Sequence, residues 1–142
     1  MARFLTLLTI ALVMIAFIVN AQPTIKKVPI SSTNAASGEE MYTAYCAACH
    51  GRDGKGGGPA APALKKAPAD LTALTAHNGG AFPDRRVADF IRGDLNEPAH
   101  GSREMPVWGS LFSSLNGGNN TAMIVQLRVS NLTDYIKALQ AK

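Results

Sequence analysis

The sequence predicts an all-α protein. Apolar residues recur at steps of three and four over residues 121–140, which is the spacing of a helix. The Ser-x-x-Glu pattern of residues 37–40 is typical of the first turn of a helix. No stretch alternates apolar and polar residues like a half-buried strand, and no internal repeat is present. The 142 residues, 46% of them hydrophobic, suit one small domain preceded by a targeting segment.

The N-terminal segment has the composition of a targeting signal. Residues 4–19 form an uncharged apolar run after Arg3, and the small residues ending at Ala21 suit cleavage by signal peptidase. We therefore expect residues 1–21 to be a secretory signal peptide and the domain to be exported to the periplasm. The run is almost long enough to cross a membrane, so an anchor retained at the outer face of the inner membrane is the alternative.

The segment after the signal is expected to be a flexible lead-in. Residues 22–36 are polar, contain two prolines and lack periodicity. The domain should then occupy residues 37–142. Its first helix is predicted to begin after Ser37 and to run into Cys46, with two glutamates in the first turn, where the helix dipole favours negative charge. Residues 51–68 contain too many glycines and prolines for a helix and are predicted to be a wrapping loop.

Three short helices are predicted next. Asp70 can cap a helix over residues 71–77, and Asn-Gly-Gly would end it. Pro83 suits the first turn of a second helix, over residues 83–92, and residues 108–115 form the third. In the second helix the residues expected to face the core are Val87, Phe90 and Ile91.

A long terminal helix is predicted over residues 121–140, capped by Asn120 or Thr121. Its apolar residues at helical steps are Ile124, Leu127, Leu132, Tyr135, Ile136 and Leu139. Residues 94–107 and 116–120 have the composition of loops.

Both cysteines of the chain lie in the heptapeptide YCAACHG, residues 45–51. The pattern Cys-x-x-Cys-His is typical of covalent haem attachment. On one helical turn, Cys46 and Cys49 lie on the same side and can bond the two vinyl groups of a haem. His50 would present its imidazole to the iron as the proximal ligand. The sequence therefore predicts one covalently bound haem c, with its iron.

Other kinds of site are possible for these residues. In an exported protein, Cys46 and Cys49 can form a disulfide or a thiol redox pair, but neither requires a histidine next to the second cysteine. A thioredoxin-like motif also needs a βαβ context. A zinc site needs further ligands at paired spacing, and only His77 and His100 remain.

The sixth ligand of the iron decides whether the haem only transfers electrons or also binds small molecules at the iron. Met105 is favoured because it lies in a polar loop, where Pro106 directly behind it restricts the backbone. The other candidates are Met41, Met123, His77 and His100. Met41 lies too near on the attachment helix to reach the opposite face of the haem, and Met123 begins a helix with its own packing role.

Residues 37–142 resemble the class I monohaem c-type cytochromes of bacteria. The similarity lies in Gly38 to Tyr42 before CAACHG, in GRDGKGGGP, Pro62-Ala63-Leu64, REMPVWG around Met105, and the final LTDYIKAL. The resemblance implies a small cytochrome c fold, in which helices and loops wrap around one haem. It also implies that the first and last helices cross, with Gly38 against an aromatic residue such as Tyr135. The stretch NGGNN, residues 116–120, departs from the family pattern.

The resemblance implies further contacts to the haem. The Pro62 carbonyl would accept the proton on the far nitrogen of His50 and so orient the ring. Leu64, Ile91 and Trp108 would line the haem pocket. Trp108 or an arginine such as Arg92 would donate a hydrogen bond to a propionate group of the haem.

With His50 and Met105 both bound, the iron has no open position for a substrate. We therefore expect a one-electron carrier, not an enzyme, in a periplasmic or respiratory electron-transfer chain. Its partners would be redox proteins: a donor dehydrogenase or cytochrome complex, and an acceptor oxidase or reductase. The alternatives are a haem c peroxidase or gas-binding protein with a displaceable sixth ligand, and an electron-transfer subunit of a dehydrogenase or oxidase complex.

The charge of the chain restricts the remaining partners. A formal net charge of +4, scattered along the sequence, is too weak to indicate binding of nucleic acid. Contact with a membrane is expected only if the N-terminal segment is retained.

Overall fold

The computed structural model describes residues 30–94, 105, 108–115 and 121–140. All regular structure within these residues is helical, which confirms the predicted all-α class. The chain divides into two compact units, Met1–Ile30 and Ser31–Lys142. Only Ile30 of the first unit is described, so every element below belongs to the second. The predicted signal peptide or anchor lies outside the described residues.

The helices have the following bounds: α1 Gly38–Tyr45, α2 Ala47–His50, α3 Leu74–His77, α4 Asp84–Arg92, α5 Trp108–Ser114 and α6 Thr121–Ala138. Two short 3₁₀ helices lie at Ala61–Ala63 and Leu71–Ala73. In the part of the chain that the structure describes, no helix has both the length and the hydropathy needed to span a membrane.

Helix α1 begins as its sequence predicts. The Ser37 side chain accepts a hydrogen bond from the backbone N–H of Glu40 at 3.1 Å, and two glutamates lie in the first turn. The Glu40 carboxylate accepts from the N–H of Asn34 at 3.3 Å, so it helps to fix the segment that enters the helix.

Residues 31–36 differ from the flexible lead-in expected for residues 22–36. The Tyr45 hydroxyl donates to the Ser31 carbonyl at 2.8 Å. From α6, Arg128 donates to the Thr33 carbonyl and Asn131 donates to the Ala35 carbonyl, each at 2.8 Å. Polar side chains of α1 and α6 therefore hold the backbone of this segment against the helical core.

The helix predicted over residues 71–77 is divided into the 3₁₀ helix Leu71–Ala73 and the turn α3. Asp70 caps it as expected, since its carboxylate accepts from the N–H of Thr72 at 2.8 Å. Helix α4 follows and ends at Arg92, and the next residue, Gly93, caps it with a left-handed φ of 88°.

The inward faces of α4 and α6 differ in part from the predicted ones. Phe90 on α4 is exposed, beneath the Arg86 guanidinium, whereas Val87 and Ile91 are buried as expected. Leu127 on α6 is 42% exposed. The buried apolar residues of α6 are Val129, Leu132 and Ile136.

Helices α1 and α6 cross at Gly38, as the family resemblance implies. A Cβ atom added at Gly38 would collide with the Asn131 carbonyl and lie 2.8 Å from the Tyr135 Cβ. One turn further along α1, the rings of Tyr42 and Tyr135 pack with centroids 5.2 Å apart. The backbones therefore approach closely because residue 38 has no side chain.

Candidate haem site

The turn that carries both cysteines continues directly from α1. Cys46 ends α1 by donating its backbone N–H to the Tyr42 carbonyl at 2.9 Å. The Cys46 carbonyl then accepts from the N–H of His50 at 2.9 Å, which closes the single turn α2. Cys46 and Cys49 are three residues apart on this turn, and both are free thiols.

The glycine-rich loop supplies hydrogen-bond donors to the end of α2. The N–H groups of Gly56, Gly58 and Ala60 donate to the carbonyls of His50, Cys49 and Ala48, respectively, at 2.7, 3.0 and 2.9 Å. The last carbonyls of a helix lack partners within the helix and need donors from elsewhere. The predicted wrapping loop therefore fixes the backbone that presents the cysteines and the histidine.

Two glycines of this loop permit the close approach. A Cβ at Gly58 would collide with the Ala48 carbonyl and lie 2.7 Å from the Ala47 carbonyl oxygen. Gly56 has a φ of 84° and lies against the Pro68 carbonyl. At Gly57, between them, a Cβ would meet nothing within 4 Å. The sequence indicates a loop at these glycines, but it does not distinguish their separate roles.

The ring of His50 is oriented by a different carbonyl from the one expected. Its Nδ1 lies 3.0 Å from the Ala69 oxygen, so the assignment of this contact to Pro62 is corrected. Pro62 lies in the 3₁₀ helix Ala61–Ala63, and the loop reaches the His50 ring only later in the chain, at Ala69. The N–H of Leu71 donates to the Gly54 carbonyl at 2.7 Å and fixes this part of the loop.

The hydrogen bond to Ala69 determines which ring nitrogen can bind a metal. A carbonyl can only accept, so Nδ1 of His50 is the donor in this contact, and Nε2 is the ring nitrogen left to bind a metal. A metal-binding histidine usually donates its other N–H to a carbonyl or carboxylate in this way.

The cysteines do not have the properties of a redox pair. Burial, with a smaller contribution from the nearby Cys49, raises the pKa of the Cys46 thiol to about 12. Redox-active cysteines are typically exposed thiolates with a lowered pKa. Within the described residues, no group of three His, Cys, Asp or Glu side chains could hold a metal ion such as zinc.

The expected pocket residues lie in different environments. Ile91 is buried in the same core cluster as Cys46, and Trp108 is half-buried against that cluster. The ring of Trp108 packs against Tyr45, with centroids 5.4 Å apart. Leu64, in the loop, is 38% exposed. Arg92, a candidate for binding a propionate, interacts with Asp89, Asp94 and Gln126 at 3.4, 3.0 and 2.8 Å.

The candidates for the sixth ligand also differ in position. Met105 is half-buried against the core cluster. Met41 is fully buried within it, in agreement with a packing role, and Met123 is 69% exposed. His77 is exposed at the end of α3, and His100 lies outside the described residues.

A buried arginine is the residue that the sequence analysis missed. Arg128 lies on α6 between Val125 and Leu132, on the face that packs against the core. The signal was present in the pattern, because residues 125, 128, 132 and 136 follow helical steps of three and four.

A family model described as "Cytochrome C oxidase, cbb3-type, subunit III" matches residues 33–116, more than half of the chain. The chain belongs to this family. It is a monohaem c-type cytochrome, as the resemblance of its motifs implied. No significant match was found among curated proteins or among solved structures.

A cytochrome of this kind carries covalently bound haem c, whose iron supplies one-electron chemistry. The residues of α2 fit this cofactor. Cys46 and Cys49 are free thiols on one turn, and the contact of Nδ1 with Ala69 leaves Nε2 of His50 as the nitrogen that can bind iron. Haem-based electron transfer therefore follows from the family.

Proposed function

We propose that this cytochrome is a one-electron carrier, with haem bonded to Cys46 and Cys49 and iron held by His50 and Met105. The observation that carries the proposal is the hydrogen bond between Nδ1 of His50 and the Ala69 oxygen, beside two free thiols on the same turn. This arrangement directs Nε2 to the iron and fixes the ring from behind.

The protein contributes rigidity and ligand chemistry. The N–H of Gly56 and the Ala69 carbonyl hold His50, and the N–H groups of Gly58 and Ala60 hold the turn before it. The ligand geometry therefore changes little when the iron changes charge. A soft methionine sulfur favours Fe(II) and raises the reduction potential relative to a second histidine. With His50 and Met105 both holding the iron, no position would be left for a substrate, so the cytochrome would transfer electrons and not act as an enzyme.

The spectrum of the matured protein tests the axial ligands. Met105→Ala should abolish the methionine-to-iron charge-transfer band of the oxidised form, and the reduced variant should bind carbon monoxide. Met123→Ala is the matched control, because Met123 is 69% exposed, and its spectrum should equal that of the wild type. If Met105→Ala leaves the oxidised spectrum unchanged, Met105 is not the ligand. Binding of carbon monoxide by the reduced wild type would favour the peroxidase or gas-binding alternative.

The same proposal places the cytochrome outside the cytoplasm, with residues 1–21 cleaved or kept as an anchor. Its donors and acceptors are redox proteins. N-terminal sequencing of the matured protein tests the export step: a chain that begins at Gln22 indicates cleavage, and one that begins at residue 1 or 2 in the membrane fraction indicates an anchor.

A second candidate function is that of a fixed subunit in an oxidase complex. It is favoured by the description of the matching family, which names a subunit of a cbb3-type oxidase. Native gels of solubilised membranes, stained for haem and for cytochrome oxidase activity, distinguish the two functions. A shuttle should migrate alone, whereas a subunit should migrate with the oxidase activity.

A further inference from the structure

Helix α6 buries a cation that haem attachment does not explain. Arg128 is 2% exposed, and its Nε has no hydrogen-bond partner among the described residues. Its two terminal nitrogens donate to the hydroxyl and the carbonyl of Thr33, at 2.9 and 2.8 Å. In the described part of the chain, the carboxylates that form ion pairs do so with other basic residues. None of these ion pairs includes Arg128, so no carboxylate of the described residues compensates its charge in the core.

The groups around Arg128 solvate this charge without neutralising it. The guanidinium lies 5.7 Å from the centroid of the Phe112 ring, whose face attracts cations. The Tyr45 hydroxyl gives its proton to the Ser31 carbonyl, so it accepts from the Thr33 hydroxyl at 2.8 Å. Thr33 accepts in turn from Arg128. Arg128, Thr33 and Tyr45 therefore donate in sequence along one chain of hydrogen bonds, and each bond polarises the next.

This network ends at Tyr45, next to the turn that carries Cys46 and Cys49, which we call the attachment turn. Tyr45 directly precedes Cys46, and its ring packs against Trp108 and Phe112. One tyrosine side chain and one threonine hydroxyl therefore separate Arg128 from the turn that carries the cysteines. The intervening core is apolar, and water and salt screen charges poorly across such a medium.

We propose that Arg128 raises the reduction potential of the haem, an inference that rests on the haem attachment proposed above. When the haem gives one electron to a partner, Fe(II) becomes Fe(III), and one positive charge is added at the iron. The fixed guanidinium repels this added charge and so disfavours the oxidised form. Arginine keeps its charge over the whole accessible pH range, so its effect is constant.

Redox titration of the matured holoprotein tests the proposal. Arg128→Met should lower the potential, whereas Arg128→Lys, which keeps the charge, should stay near the wild-type value. Arg85→Met is the matched control, because it removes the same formal charge from a side chain that is 96% exposed. Its potential should not change, since water screens a surface charge.

A second pair of variants covers the case in which Arg128→Met does not fold. Thr33→Asp keeps the arginine and adds a carboxylate beside it, so it should lower the potential in the same direction. Thr33→Asn is its neutral control and should not. Every variant is first checked for the axial-ligand spectrum of the wild type.

The outcomes separate this inference from the proposed function. A wild-type potential in both Arg128→Met and Thr33→Asp, with haem and ligands intact, overturns the role of Arg128. A shift of equal size in Arg85→Met also overturns it. Wild-type protein without covalent haem would instead contradict the proposed function.

Discussion

His50 is held at three points, and each uses the backbone of another residue. Its N–H donates to Cys46, its carbonyl accepts from Gly56, and its Nδ1 is bonded to the Ala69 carbonyl. No side chain takes part in these contacts apart from the imidazole itself. The orientation of the ring therefore depends on the path of the loop, and substitutions that displace the loop should affect the haem.

The neighbouring glycines Gly57 and Gly58 test this dependence. Gly58→Ala would press a methyl group into the Ala48 carbonyl and push the loop away from α2. We expect it to reduce the yield of covalent haem and to lower the free energy of unfolding by about 2–3 kcal/mol. Gly57→Ala should leave both unchanged, because its methyl group would meet nothing within 4 Å. Equal effects in the two variants would show that the close contact at residue 58 is not important.

Tyr42 makes the stability of the fold depend on pH in the alkaline range. Burial, with smaller contributions from Cys46, Tyr135 and Asp53, raises the pKa of its phenol from 10.0 to about 12. The folded state therefore favours the neutral phenol. This stabilisation is complete below pH 10 and is lost as the pH rises from 10 towards 12, where the unfolded chain has already released the proton.

Urea unfolding of the holoprotein over this pH range measures the effect. The free energy of unfolding should fall by about 1–2 kcal/mol because of Tyr42. At neutral pH the free energy of unfolding of Tyr42→Phe should be about 1 kcal/mol lower than that of the wild type, because the Gly51 carbonyl loses its donor at 2.8 Å. As the pH rises, the free energy of unfolding of this variant should fall less steeply than that of the wild type. Parallel declines in the two proteins would contradict the assignment.

At the level of the helices, the crossing of α1 and α6 depends on one missing side chain. Gly38→Ala would force the Asn131 carbonyl and Tyr135 away from α1. We expect a loss of about 2–3 kcal/mol in the free energy of unfolding, measured by urea denaturation. Thr43→Ala, at an exposed position of the same helix, is the control and should change stability by less than about 0.5 kcal/mol. A small loss in Gly38→Ala would indicate that the helices can separate at little cost.

Local features of the helices were predictable, because they depend on neighbouring residues alone. The cap at Ser37 and the cap at Asp70 both lie where the sequence indicates. The choice of buried face was less predictable. Helical spacing identifies apolar stripes, but packing partners decide which stripe is buried, so Leu127 and Phe90 are exposed.

The site was predictable to a similar degree. The spacing of Cys46, Cys49 and His50 indicates the chemistry, since the haem-attachment motif is contiguous in the chain. The acceptor for His50 was assigned to Pro62 from family resemblance, but Pro62 and Ala69 lie in one long loop, and only the tertiary path determines which carbonyl reaches the ring. Helical spacing places Arg128 on the buried face, but its hydrogen-bond partner, Thr33, is distant in sequence and could not be predicted from it.

In the molecule as a whole, the attachment turn lies between two sets of contacts. On one side, the crossing of α1 and α6 fixes the helix that leads into Cys46. On the other, the glycine-rich loop covers the carbonyl end of α2. The aromatic rings of Tyr45, Trp108 and Phe112 join α1 to α5 beside the turn. This framework suits a carrier, since a rigid surrounding limits rearrangement during electron transfer.

Extraction of haem from the matured, denatured protein tests the account most directly. Wild-type protein, produced in a host competent in haem maturation, should keep its colour after unfolding in acidified organic solvent. Its intact mass should equal that of the polypeptide plus one haem. The double variant Cys46→Ser, Cys49→Ser should release any haem that it binds and show the mass of the polypeptide alone. A wild-type chain that is colourless, or that loses its haem to the solvent, would contradict covalent attachment at these cysteines.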